Sequence, residues 1–197
     1  MQNLIRCFKY VSSFSLVDLA SQVIGNDLII TECDGSFDRL FKWRRFQNGF
    51  KEAKACRKPI LLFVHKPLCP ACQTLKQKFS KSVRLMDLSD SFVMIQAEQE
   101  KCKHMDEQKF LPDGKYVPRI LFFTPDGDFI EDAYNKHPNA DKEHKYFYSN
   151  PSQIAESMLF VLREYIKGPL SVLFEHERWK SDNWDTDDDV LTPTVLS

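Results

Sequence analysis

No apolar run in this 197-residue chain approaches the roughly 20 residues that a membrane-spanning helix requires. An excess of charge is missing as well. There are 27 Lys and Arg against 28 Asp and Glu, a net charge of −1, so no basic field recommends nucleic acid as a partner. N-glycosylation sequons are absent, because Asn150 is followed by Pro151. The 6 cysteines form no disulfide ladder, and Cys7, Cys33, Cys56 and Cys102 each read as a lone thiol, so their number does not fix a redox compartment. Met1–Val17 carries Arg6 and Lys9 without an acid, but Lys9, Ser12, Ser13 and Ser15 interrupt its apolar content. It matches a secretory signal poorly and a mitochondrial presequence slightly better; a local helix or an arm is the plainer expectation. Asp185, Asp187, Asp188 and Asp189 lack the glycine and terminal glutamate of a calcium loop, so residues 181–197 read as a solvated tail.

What is present is material for a core, including 16 Phe. Trp43, Phe46 and Phe50 anchor its start. A short helix over Phe50–Cys56 stops before Pro59. Ile60–His65 is continuously apolar and reads as a strand buried on both faces. Cys69 to about Val83 has helical periodicity, with Cys72, Leu75 and Phe79 on one face and Lys76, Gln77 and Lys81 on the other. Phe92–Ile95 and Ile120–Phe123 read as strands. Thr124-Pro125-Asp126-Gly127 is a turn leading into a short strand at Asp128–Ile130. Asn150 caps a helix with Pro151 at its first position, and Ile154, Met158, Val161, Leu162 and Tyr165 form its apolar stripe up to Gly168-Pro169. Leu170–Lys180 has the pattern of a further amphipathic helix. The order β-α-β, a link, then β-β-α predicts a small α/β layer fold.

The chemistry concentrates at Cys69-Pro70-Ala71-Cys72. A CxxC alone is weak evidence, and coincidence or half of a zinc site competes with a redox dithiol. Its place decides: it follows a buried strand and opens a helix, which is the thioredoxin-type arrangement. Unpaired N–H groups at a helix start favour a thiolate at Cys69, and Pro70 suits the first helical position. Cys72 lies one turn on. These positions cast Cys69 as nucleophile and Cys72 as resolving thiol. His65 and Lys66 are candidates for added positive charge, with a solvated Lys66 favoured. Pro118 leads into a buried strand; a cis bond there would leave the Val117 backbone free to pair with an extended substrate. Without the CxxC it would read as an ordinary strand-start proline. Cys69, Cys72, Cys102 and His104 supply zinc-ligand types, but Cys102-Lys103-His104 is too tight for the usual second pair, so no metal is expected.

From about Trp43 to Tyr165 the chain resembles the small thioredoxin-like proteins of the endoplasmic reticulum, namely thioredoxin domain-containing protein 12 and the anterior-gradient proteins. The matches run in order through Trp43, Gly49, Glu52-Ala53, Lys58-Pro59, His65-Lys66, the CxxC, Lys76, Phe79 and Phe92-Val93-Met94. They continue through Pro112 to Phe122, then Pro125-Asp126-Gly127 and Lys145-Tyr146-Phe147-Tyr148. The resemblance implies a thioredoxin fold, α/β with a central mixed sheet flanked by helices, over residues 38–168. An N-terminal extension would occupy residues 1–37 and a C-terminal extension with an acidic tail residues 169–197. It implies thiol-disulfide exchange at Cys69 and Cys72 with client proteins or glutathione, without a cofactor. Val117, a cis Pro118 and Arg119 would border the substrate groove, and Pro70 and Ala71 complete the redox motif. The alternative is a client-binding module without catalysis, of the anterior-gradient type. The resemblance also implies residence in the endoplasmic reticulum lumen, with cytoplasm or secretion as alternatives, since the chain ends Thr194-Val195-Leu196-Ser197 rather than in a retention tetrapeptide. Against the family pattern, Leu68 replaces a Trp, Pro70 a Gly and Phe63 a buried acid. Glu98 is left as a weak candidate for the Cys72 proton acceptor.

Overall fold

All six residues of the apolar run Ile60–His65 are buried, and they form the central strand. The structure, a computed structural model, describes residues 37–166 and 194–195. In chain order its elements are α1 (Phe37–Leu40), α2 (Phe46–Cys56), β1 (Ile60–His65), α3 (Pro70–Ser80), α4 (Val83–Ser89) and β2 (Val93–Glu98). Then come 3-10 turns at Lys103–Asp106 and Gln108–Phe110, β3 (Tyr116–Val117), β4 (Arg119–Phe123), α5 (Pro151–Tyr165) and β5 (Thr194–Val195). The expectations for Met1–Val17, for Gly168-Pro169, for a Leu170–Lys180 helix and for most of the two extensions lie outside the described residues.

β1 pairs in parallel with β2 and antiparallel with β4. Isolated bridges extend this sheet on both sides, Arg44 to Ile95 in parallel and Phe129 to Phe123 antiparallel. The order is therefore Arg44, β2, β1, β4, Phe129, a mixed sheet. Alternation along β1 divides the core in two. Leu61 and Phe63 face Phe37, Phe41, Trp43, Leu75, Phe79 and α5, whereas Ile60, Leu62 and Val64 face Cys69, Cys72, Phe110, Phe123 and Tyr146. Phe37, expected to lie in the N-terminal extension, stacks on Trp43 with ring centroids 4.9 Å apart.

Several expectations shift locally. α2 starts at Phe46 rather than Phe50, and it sits so close to β2 that a Cβ on Gly49 would lie 2.4 Å from Ile95 Cγ1. The helix after the CxxC ends at Ser80, and α4 begins afresh with the Ser82 side chain accepting the Leu85 N–H. The strand expected at Asp128–Ile130 shrinks to a bridge at Phe129, although the turn before it closes with Thr124 N–H donating to Asp128 O at 2.8 Å. α5 starts as read: Asn150 Oδ1 accepts the Ser152 N–H at 3.0 Å, and Gln153 Oε1 accepts the Asn150 N–H at 3.2 Å. Such a cap contributes about 1 kcal/mol. Tyr165 leaves the stripe, being 38% exposed in the last turn. Cys56 is not a lone thiol but is disulfide-bonded. Within the tail expected to be solvated, Thr194–Val195 is a strand paired with β3.

Candidate active site

β1 ends at His65, and three residues later the chain turns into α3 with Cys69 as its N-cap. The Cys69 sulfur accepts the Cys72 backbone N–H at 3.2 Å, satisfying one of the donors that a helix start leaves open. Pro70 occupies the first turn and is exposed, while Ala71 is buried against the sheet. Cys72 is fully buried one turn on. Burial, followed by the neighbouring Cys69 sulfur, pushes its thiol well above the ordinary range. Both thiols are free of disulfides.

Opposite this turn the Val117–Pro118 peptide is cis. The Cys69 thiol points at the Val117 carbonyl, 4.0 Å away. The fold thus brings Cys69, Cys72, Val117 and Pro118 together around one sulfur. Arg119 is different. It is 0% exposed and forms no groove wall. Its Nη2 donates to Gln99 Oε1 at 2.6 Å, its Nη1 donates to the Tyr116 carbonyl, and its guanidinium lies 5.7 Å from the Tyr116 ring centre. Burial lowers its pKa to about 10, which still leaves it protonated at neutral pH. The reason is register: Arg119 faces Val64 of β1, so its side chain leaves the sheet inside the protein.

Gln99 is the residue that sequence reasoning missed. Its N–H donates to His65 O at 2.9 Å, and its side chain reaches Arg119, Met105 O and Asp106. It therefore ties the end of β1 to the segment before β4. A lone glutamine after a strand carries no sequence signal for such a task. Tyr116 completes the arrangement: its hydroxyl donates to Asp113 at 2.8 Å and accepts the Tyr146 N–H at 3.1 Å.

Neither of the proposed charges serves Cys69. His65 is buried, and burial followed by Lys76 lowers its pKa to about 3, so it is neutral at physiological pH. Gln96 Nε2 donates to His65 Nε2 at 2.9 Å. Lys66 is ion-paired with Glu100 at 2.6 Å rather than solvated alone. Glu98 is engaged by Lys101 at 2.8 Å. Cys102 is half-buried, and burial raises its thiol pKa, the reverse of a third reactive thiol. His104 stacks on Phe46 and pairs with Glu107 at 2.5 Å. Among the described residues no three His, Cys, Asp or Glu side chains gather as metal ligands, so the zinc set is not assembled. Leu68, next to Cys69, is 91% exposed.

Two outcomes follow from this arrangement. The folded state resists protonating His65 while the unfolded chain accepts the proton, so stability falls as pH drops from about 6.5 towards about 3. Between pH 7 and pH 4 this residue accounts for a loss of roughly 2–4 kcal/mol, and urea unfolding of His65→Leu should show a flatter pH dependence over that window. Arg119→Ala strands Gln99 Oε1 and the Tyr116 carbonyl without their donor. It should lower unfolding free energy by roughly 2–4 kcal/mol, against under about 0.5 for the exposed Arg57→Ala. A groove residue would instead alter client affinity at unchanged stability.

The sequence of residues 42–125 matches the family described as thioredoxin-like. Human anterior gradient protein 2 homolog is 29% identical over 103 residues, covering 52% of this chain and 56% of that protein. Anterior gradient protein 3 of Xenopus tropicalis is 30% identical over 95 residues, covering 48% and 56%. The chain thus spans about half the length of these curated relatives. A disulphide isomerase from Xylella fastidiosa Temecula1 superposes over 70% of this chain and 98% of its own, at 12% identity and a TM-score of 0.42. That likeness is loose, and the fold assignment rests on the sheet order and the sequence match. A mixed sheet carrying a CxxC at the start of a helix and the match over residues 42–125 show a thioredoxin-like fold, in a chain that is similar in sequence to the anterior gradient proteins.

Proposed function

We propose that this protein is a thiol-disulfide oxidoreductase in which Cys69 attacks and Cys72 resolves. The observation that carries the reading is the position of the Cys69 sulfur: at the start of α3, facing the Val117 carbonyl, with a buried thiol one turn behind. In the reducing direction the Cys69 thiolate attacks one sulfur of a client disulfide. The client S–S bond breaks, a mixed disulfide forms, and the departing client thiolate takes a proton. Cys72 then loses its proton and attacks Cys69, releasing the second client thiol and leaving a Cys69–Cys72 disulfide. Two electrons have passed from the dithiol to the client. The reverse sequence oxidises client thiols, and redox poise sets the direction.

The high pKa of Cys72 keeps it protonated and leaves the first attack to Cys69. Part of its elevation comes from the Cys69 sulfur beside it. Once Cys69 is held in a mixed disulfide that contribution is gone, and the resolving thiolate forms more readily. Client backbone would pair with Val117, the last residue before a proline that has no N–H. The clients are proteins carrying thiols or disulfides, or glutathione, and no cofactor is involved. Relatives of the anterior-gradient type and the disulfide at Cys56 support an oxidising compartment, the endoplasmic reticulum lumen, over the cytoplasm.

One observation favours the second reading, a client-binding module without turnover: Cys69 is only 4% exposed. A disulfide reductase assay on wild type, Cys69→Ser and Cys72→Ser separates the two. The enzymatic reading expects turnover in wild type, loss of at least about a hundredfold in Cys69→Ser, and a trapped client adduct in Cys72→Ser. Absent wild-type turnover, with client binding equal in all three proteins, would establish the module instead.

A further inference from the structure

We propose that the Thr194–Val195 strand occupies the client-pairing edge of this domain, so that the chain covers its own dithiol and a client must displace that strand. This rests on the reading of the Val117 backbone as the edge that clients pair with. β5 runs antiparallel to β3, with Val195 opposite Tyr116 and Thr194 opposite Val117. Among the described residues the pair forms a two-stranded sheet of its own, separate from the sheet of β1, β2 and β4. β5 is therefore not completing the core sheet. It is added to an edge.

That edge is short for a chemical reason. Pro118 has no N–H to donate, so pairing ends at Val117. Only Tyr116 and Val117 are offered, and β5 takes both. The Val117 carbonyl is also the group 4.0 Å from the Cys69 sulfur. An incoming peptide whose disulfide reaches Cys69 would need the backbone that β5 already holds. The exposure pattern agrees: Cys69 is 4% exposed, although Leu68 on one side is 91% exposed and Pro70 on the other is exposed as well.

The edge itself is fixed. Tyr116 is held at its carbonyl by Arg119 and at its hydroxyl by Asp113 and the Tyr146 N–H. What can move is β5. A ladder of two residues, as it stands among the described residues, is marginally stable, so an extended segment of another polypeptide can compete with it. The apparent affinity for a client is then reduced by the fraction of chains whose edge is open. The occupant is this chain's own segment, and its competitor is any extended peptide able to add antiparallel to Tyr116–Val117.

The test uses the full-length chain and the double variant Thr194→Pro/Val195→Pro, which removes both backbone N–H groups of β5. Amide hydrogen exchange on β3 and the rate of iodoacetamide modification of Cys69 are read in both proteins. The β3 amide bonded to β5 should lose protection in the variant. Cys69 modification should rise roughly tenfold, as expected if about nine chains in ten are covered. A synthetic peptide with the sequence of residues 190–197 should restore slow modification when added to the variant. Equal exchange and equal modification rates in the two proteins, with no effect of the peptide, would overturn the proposal. Modification does not require turnover. Faster modification in the variant with no reductase activity in either protein would uphold the occupied edge and overturn the enzymatic reading. The converse, turnover with unchanged modification, would do the opposite.

Discussion

Everything in this domain depends on burying β1 on both faces. A six-residue strand with no exposed side needs paired edges left and right and a covering layer above and below. β2 and β4 supply the edges. One face is sealed by aromatic residues gathered from Phe37, Phe41, Trp43 and Phe79, the other by Val93, Phe110, Phe123 and Tyr146. The same demand fixes the chemistry. A buried strand must emerge at the sheet's end before the chain can turn, and at that end the turn delivers Cys69 to the start of α3.

The partner of that turn is set by a second buried requirement. A guanidinium inside a protein is expensive unless its donors are used. Arg119 uses its Nη2 on Gln99 and its Nη1 on the Tyr116 carbonyl, which pins the two-residue β3 across from Cys69. Burial thereby acts three ways around the CxxC. It keeps His65 neutral, raises Cys72 and fixes the Val117 carbonyl in front of Cys69. None of these effects needs a nearby opposite charge, and the lysine closest to the motif in sequence, Lys66, is already paired with Glu100.

What was legible in the sequence was local. The limits of β1 were readable because a strand buried on both faces is continuously apolar. The start of α5 was readable because capping is settled by residues within one turn, Asn150, Pro151 and Gln153. The thiol pair and its strand-turn-helix setting were readable for the same reason. Tertiary facts were not. Arg119 was expected to border the substrate groove, but register sent it inward. Gln99 looked like any polar residue after a strand. Cys56 looked solitary because the sequence around it carries no disulfide pattern. Thr194–Val195 fell in a polar, acidic stretch, and nothing in two residues announces a strand when the edge it joins is made elsewhere.

The architecture is thioredoxin-like, and its CxxC carries both thiols with an asymmetry between them: one at a helix start, one buried behind it. The central claim is that this pair works as a single two-electron couple. Its reduction potential, measured by equilibrating the protein with glutathione buffers and counting the alkylated Cys69 and Cys72, tests that claim most directly. The account predicts that both thiols titrate together, in one transition at a potential of roughly −270 to −120 mV, the span of thioredoxin-fold oxidoreductases. Two thiols that respond independently, or a pair that stays reduced throughout that span, would contradict it.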